Sequence, residues 1–321
     1  MKKIILIISA SLVLIGGIFL YIKINSHRPK QFSVSFFNIG QGDSSLITFA
    51  NGQKMLVDCG PDKSVLSKLG GTLSFFDKTI DYLVVTHPDL DHYGGCLDVL
   101  KRYEVKEIVT NGSAKKYDPY WRSWDAAVRA EPAAVLVTMA SPTVWSLAED
   151  TLQFFSPDPA LALNTSSADS NNHSIVFKLT HGTKSFLFTG DMEAPLETAL
   201  LKKYCGESIT SLSFRTPVAG VRNLVRFEQS KLDSSSSAQG GLAQNDNNGC
   251  PALRSAVLKV SHHGSDTGSS ETFLAAVQPT TAVISVGKNK YGHPSLRTIR
   301  HLERTGTKIL RTDNEGDILF E

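Results

Sequence analysis

Thr86-His87-Pro88-Asp89-Leu90-Asp91-His92-Tyr93-Gly94-Gly95 carries two imidazoles and two carboxylates between His87 and His92. The apolar, β-branched run 82–86 before it reads as a strand. The stretch 96–103 after it has helical spacing, with Leu97 and Leu100 set against Asp98, Lys101 and Arg102. A loop between strand and helix can turn four side chains toward one point, whereas either regular element would spread them over its faces. Pro88 keeps the segment from continuing as helix, and Gly94-Gly95 are expected to let the backbone turn sharply. Without a cation, these groups would repel one another or waste hydration. The pattern therefore predicts a divalent metal held by His87, Asp89, Asp91 and His92; the competing reading is a charged turn with chance histidines.

Other strand ends offer similar groups. Asp191 follows an apolar strand in Thr189-Gly190-Asp191, where it could bridge two metals, although Gly-Asp after a strand is often an ordinary turn. The run 256–260 ends in Ser261-His262-His263-Gly264-Ser265, and paired histidines are uncommon on a bland surface. Asp58 closes strand 54–57 and is expected to orient a metal-bound histidine. Sheet-based enzymes collect their sites at strand C-termini.

Around these ends the chain alternates short strands and helices. Residues 33–39 and 45–49 pair across a tight turn at 40–43, and 175–179 pairs with 185–189 around His181-Gly182. Helices are expected at 195–204, 272–277 and 295–304, and further strands at 107–110, 282–286, 308–311 and 318–320. An α/β fold of two packed sheets with helices outside satisfies this order. Residues 228–249 lose apolar periodicity and read as a flexible polar insertion.

A net charge of +2 gives no global argument for nucleic acid or anionic lipid, so any phosphate-bearing substrate must be recognised locally. Residues 4–22 form an apolar run behind Lys2-Lys3, long enough to span a bilayer as a helix. The following residues do not resemble a cleavage site, which favours an uncleaved anchor over residues 1–25 to a cleaved signal or a core helix. Residues 26–31 form a basic linker and 32–321 the domain proper; Lys23, Arg28 and Lys30 balance the leading lysines, leaving orientation open. Cys205 and Cys250 bracket the polar insertion at a spacing that suits a disulfide, which would place the domain in an oxidising space, with free thiols as the alternative. Cys59 and Cys96 read as small buried residues.

The ordered set His87-x-Asp89-x-Asp91-His92, Asp191 and His263 resembles the metallo-β-lactamase superfamily. More narrowly, residues 36–44, Asp58-Cys59-Gly60, Asn171-Asn172-His173-Ser174, His262-His263-Gly264-Ser265 and Tyr291-Gly292-His293-Pro294 resemble the extracytoplasmic domain of ComEC-type DNA-uptake proteins and their stand-alone relatives. The resemblance spans about residues 32–321 and implies an αββα sandwich with the site on one edge. It implies metal ligation by His87, Asp89, Asp91, His92, Asp191 and His263, with one or two Zn²⁺ or Mn²⁺ ions. Asp89 stands where the superfamily usually has histidine, and another ligand histidine is missing near 170–174, where His173 is a candidate. Fewer imidazoles favour the harder Mn²⁺.

Asp91 is the expected holder of the reacting water, with His262 and Ser265 as donors to developing charge. Asn172 and His293 are expected to line the cleft, a packing role before Pro294 being the alternative for His293. The function expected is an extracytoplasmic, single-pass membrane phosphodiesterase acting on DNA. The alternatives are a small-molecule ester, phosphocholine or lactone hydrolase, and a binding module without turnover; no protein partner is predicted.

Overall fold

The computed structural model describes residues 11, 13–17, 31–115, 118–131, 134–161, 163, 169–206 and 250–321. The expected insertion 228–249 lies outside them, as does nearly all of the expected anchor, of which residues 11 and 13–17 are helical. Among the described residues no helix is long and apolar enough to cross a membrane.

Two seven-stranded mixed sheets face each other. The first has strand order β14-β1-β2-β3-β4-β5-β6, from β1 (Ser33–Phe36), β2 (Ser44–Thr48), β3 (Lys54–Cys59), β4 (Thr79–Val85), β5 (Glu104–Thr110), β6 (Val135–Thr138) and β14 (Ile318–Phe320). The second runs β13-β12-β11-β10-β9-β8-β7, from β7 (Thr143–Leu147), β8 (Asp150–Ser156), β9 (Val176–His181), β10 (Lys184–Phe188), β11 (Val257–Lys259), β12 (Thr281–Ile284) and β13 (Lys308–Arg311). Each sheet joins an antiparallel half to a parallel half, β3 to β6 in one and β10 to β13 in the other. The two strands expected to close the chain part company. β13 completes the second sheet, and β14 crosses over to pair with β1 in the first.

Hydrophobic burial explains the layering. Val34, Phe36, Phe154, Phe177, Phe186 and Phe188 meet between the sheets. β3 is buried along its whole length, because helices cover its other face, and so its apolar run is nearly continuous. The helices α1 (Ser64–Thr72), α2 (Leu90–Tyr93), α3 (Cys96–Leu100) and α4 (Pro119–Ala130) follow strands of the first sheet. α5 (Ala194–Cys205), α6 (Glu271–Val277) and α7 (Leu296–Arg304) follow those of the second, and the short α8 (Thr312–Glu315) links β13 to β14.

Two expectations change. Cys59 and Cys96 form a disulfide rather than lying as separate thiols, while Cys205 and Cys250 are bridged as their spacing suggested. Gly94 and Gly95 have ordinary helical dihedrals, so glycine is not there for a sharp turn. Space requires it: a Cβ would stand 2.2 Å from the Pro61 carbonyl oxygen at Gly94 and 2.3 Å from that of Cys59 at Gly95.

Candidate metal centre

The C-terminal ends of β3, β4, β10 and β11 deliver Asp58, His87, Asp191 and His263 to one edge of the sandwich. Asp58, His262 and His263 sit at φ of 56°, 48° and 52°, the left-handed region that non-glycine residues occupy only where surrounding structure compels it. Gly190 and Gly264 share that conformation beside them.

Three imidazoles are buried there, each with Nδ1 engaged. His92 Nδ1 lies 2.9 Å from Asp58 Oδ2, His263 Nδ1 is 2.9 Å from the Ser285 carbonyl, and His87 Nδ1 is 3.1 Å from Thr86 Oγ1. Asp58 is itself fixed by the Thr86 backbone N–H and hydroxyl, both donating at 2.8 Å. These contacts leave the Nε2 atoms of His87, His92 and His263 buried and without a hydrogen bond, as they also leave Asp191 Oδ1.

Asp191 is central. Its Oδ1 is 3.2 Å from His92 Nε2, and its Oδ2 is 3.5 Å from His263 Nε2 and 3.9 Å from His87 Nε2. Asp91 Oδ2 approaches His263 Nε2 to 3.2 Å. The ligand atoms fall into overlapping groups, His87–His92–Asp191 and Asp91–His92–His263 among them.

Two buried residues that sequence reasoning did not single out lie beneath this cluster. Asp43 contacts Lys259 in an ion pair and lies 3.3 Å from His263 Nδ1, while Lys259 Nζ also donates to the Gly190 carbonyl at 3.0 Å. Asp43 stood in the 40–43 turn, and its signal was a carboxylate between glycine and a strand. Lys259 was visible only as a lone cation in an apolar strand.

Charge follows geometry. Burial, aided by His92, pushes the His87 imidazole down to about 4. Burial also opposes charge on His92 and His263. The Asp191 carboxylate, joined by Asp58 for one and Asp43 for the other, nevertheless raises both well above the usual histidine range. Against its own burial, Asp191 is held well below the usual carboxylate range by His92 and His263. Without an ion, protonated His92 and His263 are the nearest countercharge available to Asp191.

The other expected residues are arranged differently. Asp89 Oδ1 lies 3.9 Å from His87 Nε2, as near as Asp191 Oδ2, but Lys115 Nζ at 2.6 Å and Ser170 Oγ at 2.5 Å also engage it, and it joins none of the ligand groups among the described residues. Asn172 does not line a cleft; it is buried and its Oδ1 accepts the Glu193 and Leu196 N–H groups at the start of α5. His173 Nδ1 lies 2.6 Å from its own loop's Asp169 carbonyl. Ser174 occupies the place near His87 instead, its Oγ 3.4 Å from His87 Nδ1 and accepting the Asp191 N–H at 3.1 Å. Ser265 is buried and its Oγ accepts from Thr267, so it shapes the loop rather than facing substrate. His262 keeps 23% of its side chain exposed, with Nδ1 3.1 Å from Glu193 Oε1 and its ring 5.4 Å from that of His293 at the rim.

The model of the metallo-beta-lactamase superfamily matches residues 38–288. The chain belongs to that superfamily. Among curated relatives it is 27% identical to ComE operon protein 3 of Bacillus subtilis, over 89% of this chain and 32% of that protein. It is 26% identical to competence protein ComA of Neisseria gonorrhoeae, over 92% of this chain and 34% of that protein. The chain thus spans about a third of the length of these relatives. The metallo-beta-lactamase fold protein YhfI from Bacillus subtilis superposes with a TM-score of 0.51 at 10% identity, covering 90% of this chain and 99% of that one.

In this metallo-β-lactamase domain the donor set suits a divalent cation. Buried nitrogen atoms lacking hydrogen bonds converge with carboxylate oxygens, and uncompensated burial of such groups is costly. His87, His92, His263, Asp191 and Asp91 would hold the ion, with Asp58 and Ser285 fixing the rings. A bound divalent cation lowers the pKa of coordinated water from about 15.7 toward 7. Asp91, its side chain 35% exposed, stands at the mouth with Oδ2 3.2 Å from His263 Nε2, and against its own burial that contact holds its carboxyl well below the usual carboxylate range. His262 stands at the rim, its Nδ1 3.1 Å from Glu193 Oε1 and its Nε2 3.8 Å from Asp191 Oδ2.

Proposed function

We propose that this chain is a metal-dependent phosphodiesterase, tethered to the membrane on its extracytoplasmic side, with DNA as its substrate. The carrying observation is the convergence of three buried Nε2 atoms on the Asp191 carboxylate. Such a centre serves water activation at a phosphoryl group. DNA is favoured by the names of the curated relatives, which are competence proteins, and by the rim. Tyr291 is 65% exposed with Lys290 over its ring, Lys288 is exposed nearby, and His293 connects them to His262. An aromatic face among cations suits stacked bases and phosphates. Two disulfides agree with an oxidising space, and the apolar run 4–22 supplies a tether.

The test uses the full chain in detergent, stripped by chelator and reloaded with Mn²⁺ or Zn²⁺. The expected result is metal-stimulated cleavage of DNA that disappears in Asp191→Ala and His263→Ala variants with unchanged circular dichroism. Hydrolysis of bis-p-nitrophenyl phosphate without DNA cleavage would move the substrate to small esters. Tight metal binding without hydrolysis of any ester would make the domain a binding module.

A further inference from the structure

The metal centre occupies one end of the sandwich, and the opposite end has its own chemistry. β4 runs from that far end to His87 over seven residues, about 23 Å at roughly 3.3 Å per residue. Just before β4, the loop leaving α1 presents Phe75 and Phe76 at 79% and 77% exposure, their rings edge to face with centroids 5.2 Å apart. Scattered exposed apolar residues are ordinary, but two adjacent phenylalanines projecting from a loop are not. Lys78 lies over Phe75 at 5.4 Å and over Tyr103 at 5.2 Å.

The chain enters the domain at this same end. Gln31 and Ser33 share with Leu73 and Ser74 the lining of one cavity of about 530 Å³. Residues 23–30 connect Gln31 to the apolar run 4–22, and eight residues reach at most roughly 29 Å. A tether of that reach permits several orientations of the domain.

From this juxtaposition we infer that the end of the domain remote from the metal centre lies on the bilayer surface, with Phe75 and Phe76 entering the headgroup layer. The inference rests on the membrane tether proposed above. Phenylalanine beside lysine is an interfacial pattern: the rings leave water and the Lys78 ammonium meets anionic headgroups, while Asp77 between them in sequence is engaged by Lys54 at 2.9 Å. Seated this way, the metal centre opens away from the membrane toward a long polymer substrate.

Full-length chain carrying Phe76→Trp, Phe75→Trp or Tyr291→Trp is reconstituted into vesicles of phosphatidylethanolamine and phosphatidylglycerol, with and without lipid brominated near the headgroup. An indole entering some 5–10 Å should lose roughly half its added emission at either phenylalanine position, and none at Tyr291. Chain that floats with the vesicles while both phenylalanine-site indoles stay unquenched overturns this inference and leaves the tether standing. Blue-shifted but unquenched emission does the same, since it assigns the face to a protein surface. Failure to float overturns tether and inference together.

Discussion

At the scale of single residues, function turns on which atom of each imidazole is left over. Asp58 occupies His92 Nδ1 and thereby aims Nε2 at Asp191. Asp58→Ala should weaken Mn²⁺ binding roughly 10- to 100-fold, as loss of an orienting partner generally does, read by calorimetric titration. Asp89→Ala should cost less than that, because Lys115 and Ser170 already engage its carboxylate.

The pH response has a definite sign. Burial opposes charge on His92 and His263, but Asp191 raises both above 6.5, so folding of the metal-free protein gains from their protons. That gain is full below about pH 6.5 and is lost as pH rises through the folded-state values. Asp191, whose burial is outweighed by His92 and His263, acts oppositely: its contribution is present above 3.8 and is lost as pH falls through its lowered value. Thermal unfolding in chelator should therefore show stability declining above about pH 6.5. With saturating Mn²⁺ the decline should vanish, since the ion replaces those protons. Parallel curves would contradict the assignment.

At the scale of elements, the site depends on how tightly the β3 end is held under the His87 loop. The Cys59–Cys96 bridge, across a separation of 37 residues, joins the end of β3 to the start of α3. By chain entropy it contributes up to about 4 kcal/mol. Replacing both cysteines by alanine should lower the denaturant midpoint accordingly and weaken metal binding, because Asp58 adjoins the bridge. Gly95→Ala should couple the same two readouts. Its Cβ would meet the Cys59 carbonyl at 2.3 Å, and overpacking of this kind costs about 1–3 kcal/mol.

Legibility differed between elements and side chains for physical reasons. Strand ends bearing His87, Asp191 and His263 were visible because their apolar runs and the polar residues that end them are local in sequence. The Asp43–Lys259 pair was not, since its partners are joined only by the meeting of two sheets. The roles expected of Asn172 and Ser265 failed because neighbouring backbone groups claim short polar side chains first. α1 and α4 escaped a reading that followed hydrophobic runs. α4 is announced instead by its cap, with Asp118 accepting the Tyr120 N–H and Pro119 opening the helix.

For the whole molecule, two sheets of like construction hold one half of the site each. His87 and His92 come from the first, and Asp191 and His263 from the second. Anything that separates the sheets should abolish metal binding before it abolishes secondary structure. The rim belongs to the second sheet's loops. Tyr291→Ala should raise KM for single-stranded DNA about tenfold, the loss of one stacked base, and leave bis-p-nitrophenyl phosphate hydrolysis unchanged. An equal effect on both substrates would place Tyr291 in the chemistry rather than in binding.

The most direct test is calorimetric titration of Mn²⁺ into metal-free full-length protein, alongside Asp191→Ala. The account predicts saturable binding to the native chain, with one or two ions per molecule, and at least about tenfold weaker binding to the variant, the lower end of what a ligand's supporting residue alone contributes. Absence of saturable binding to the native chain, or equal binding by the variant, would contradict it.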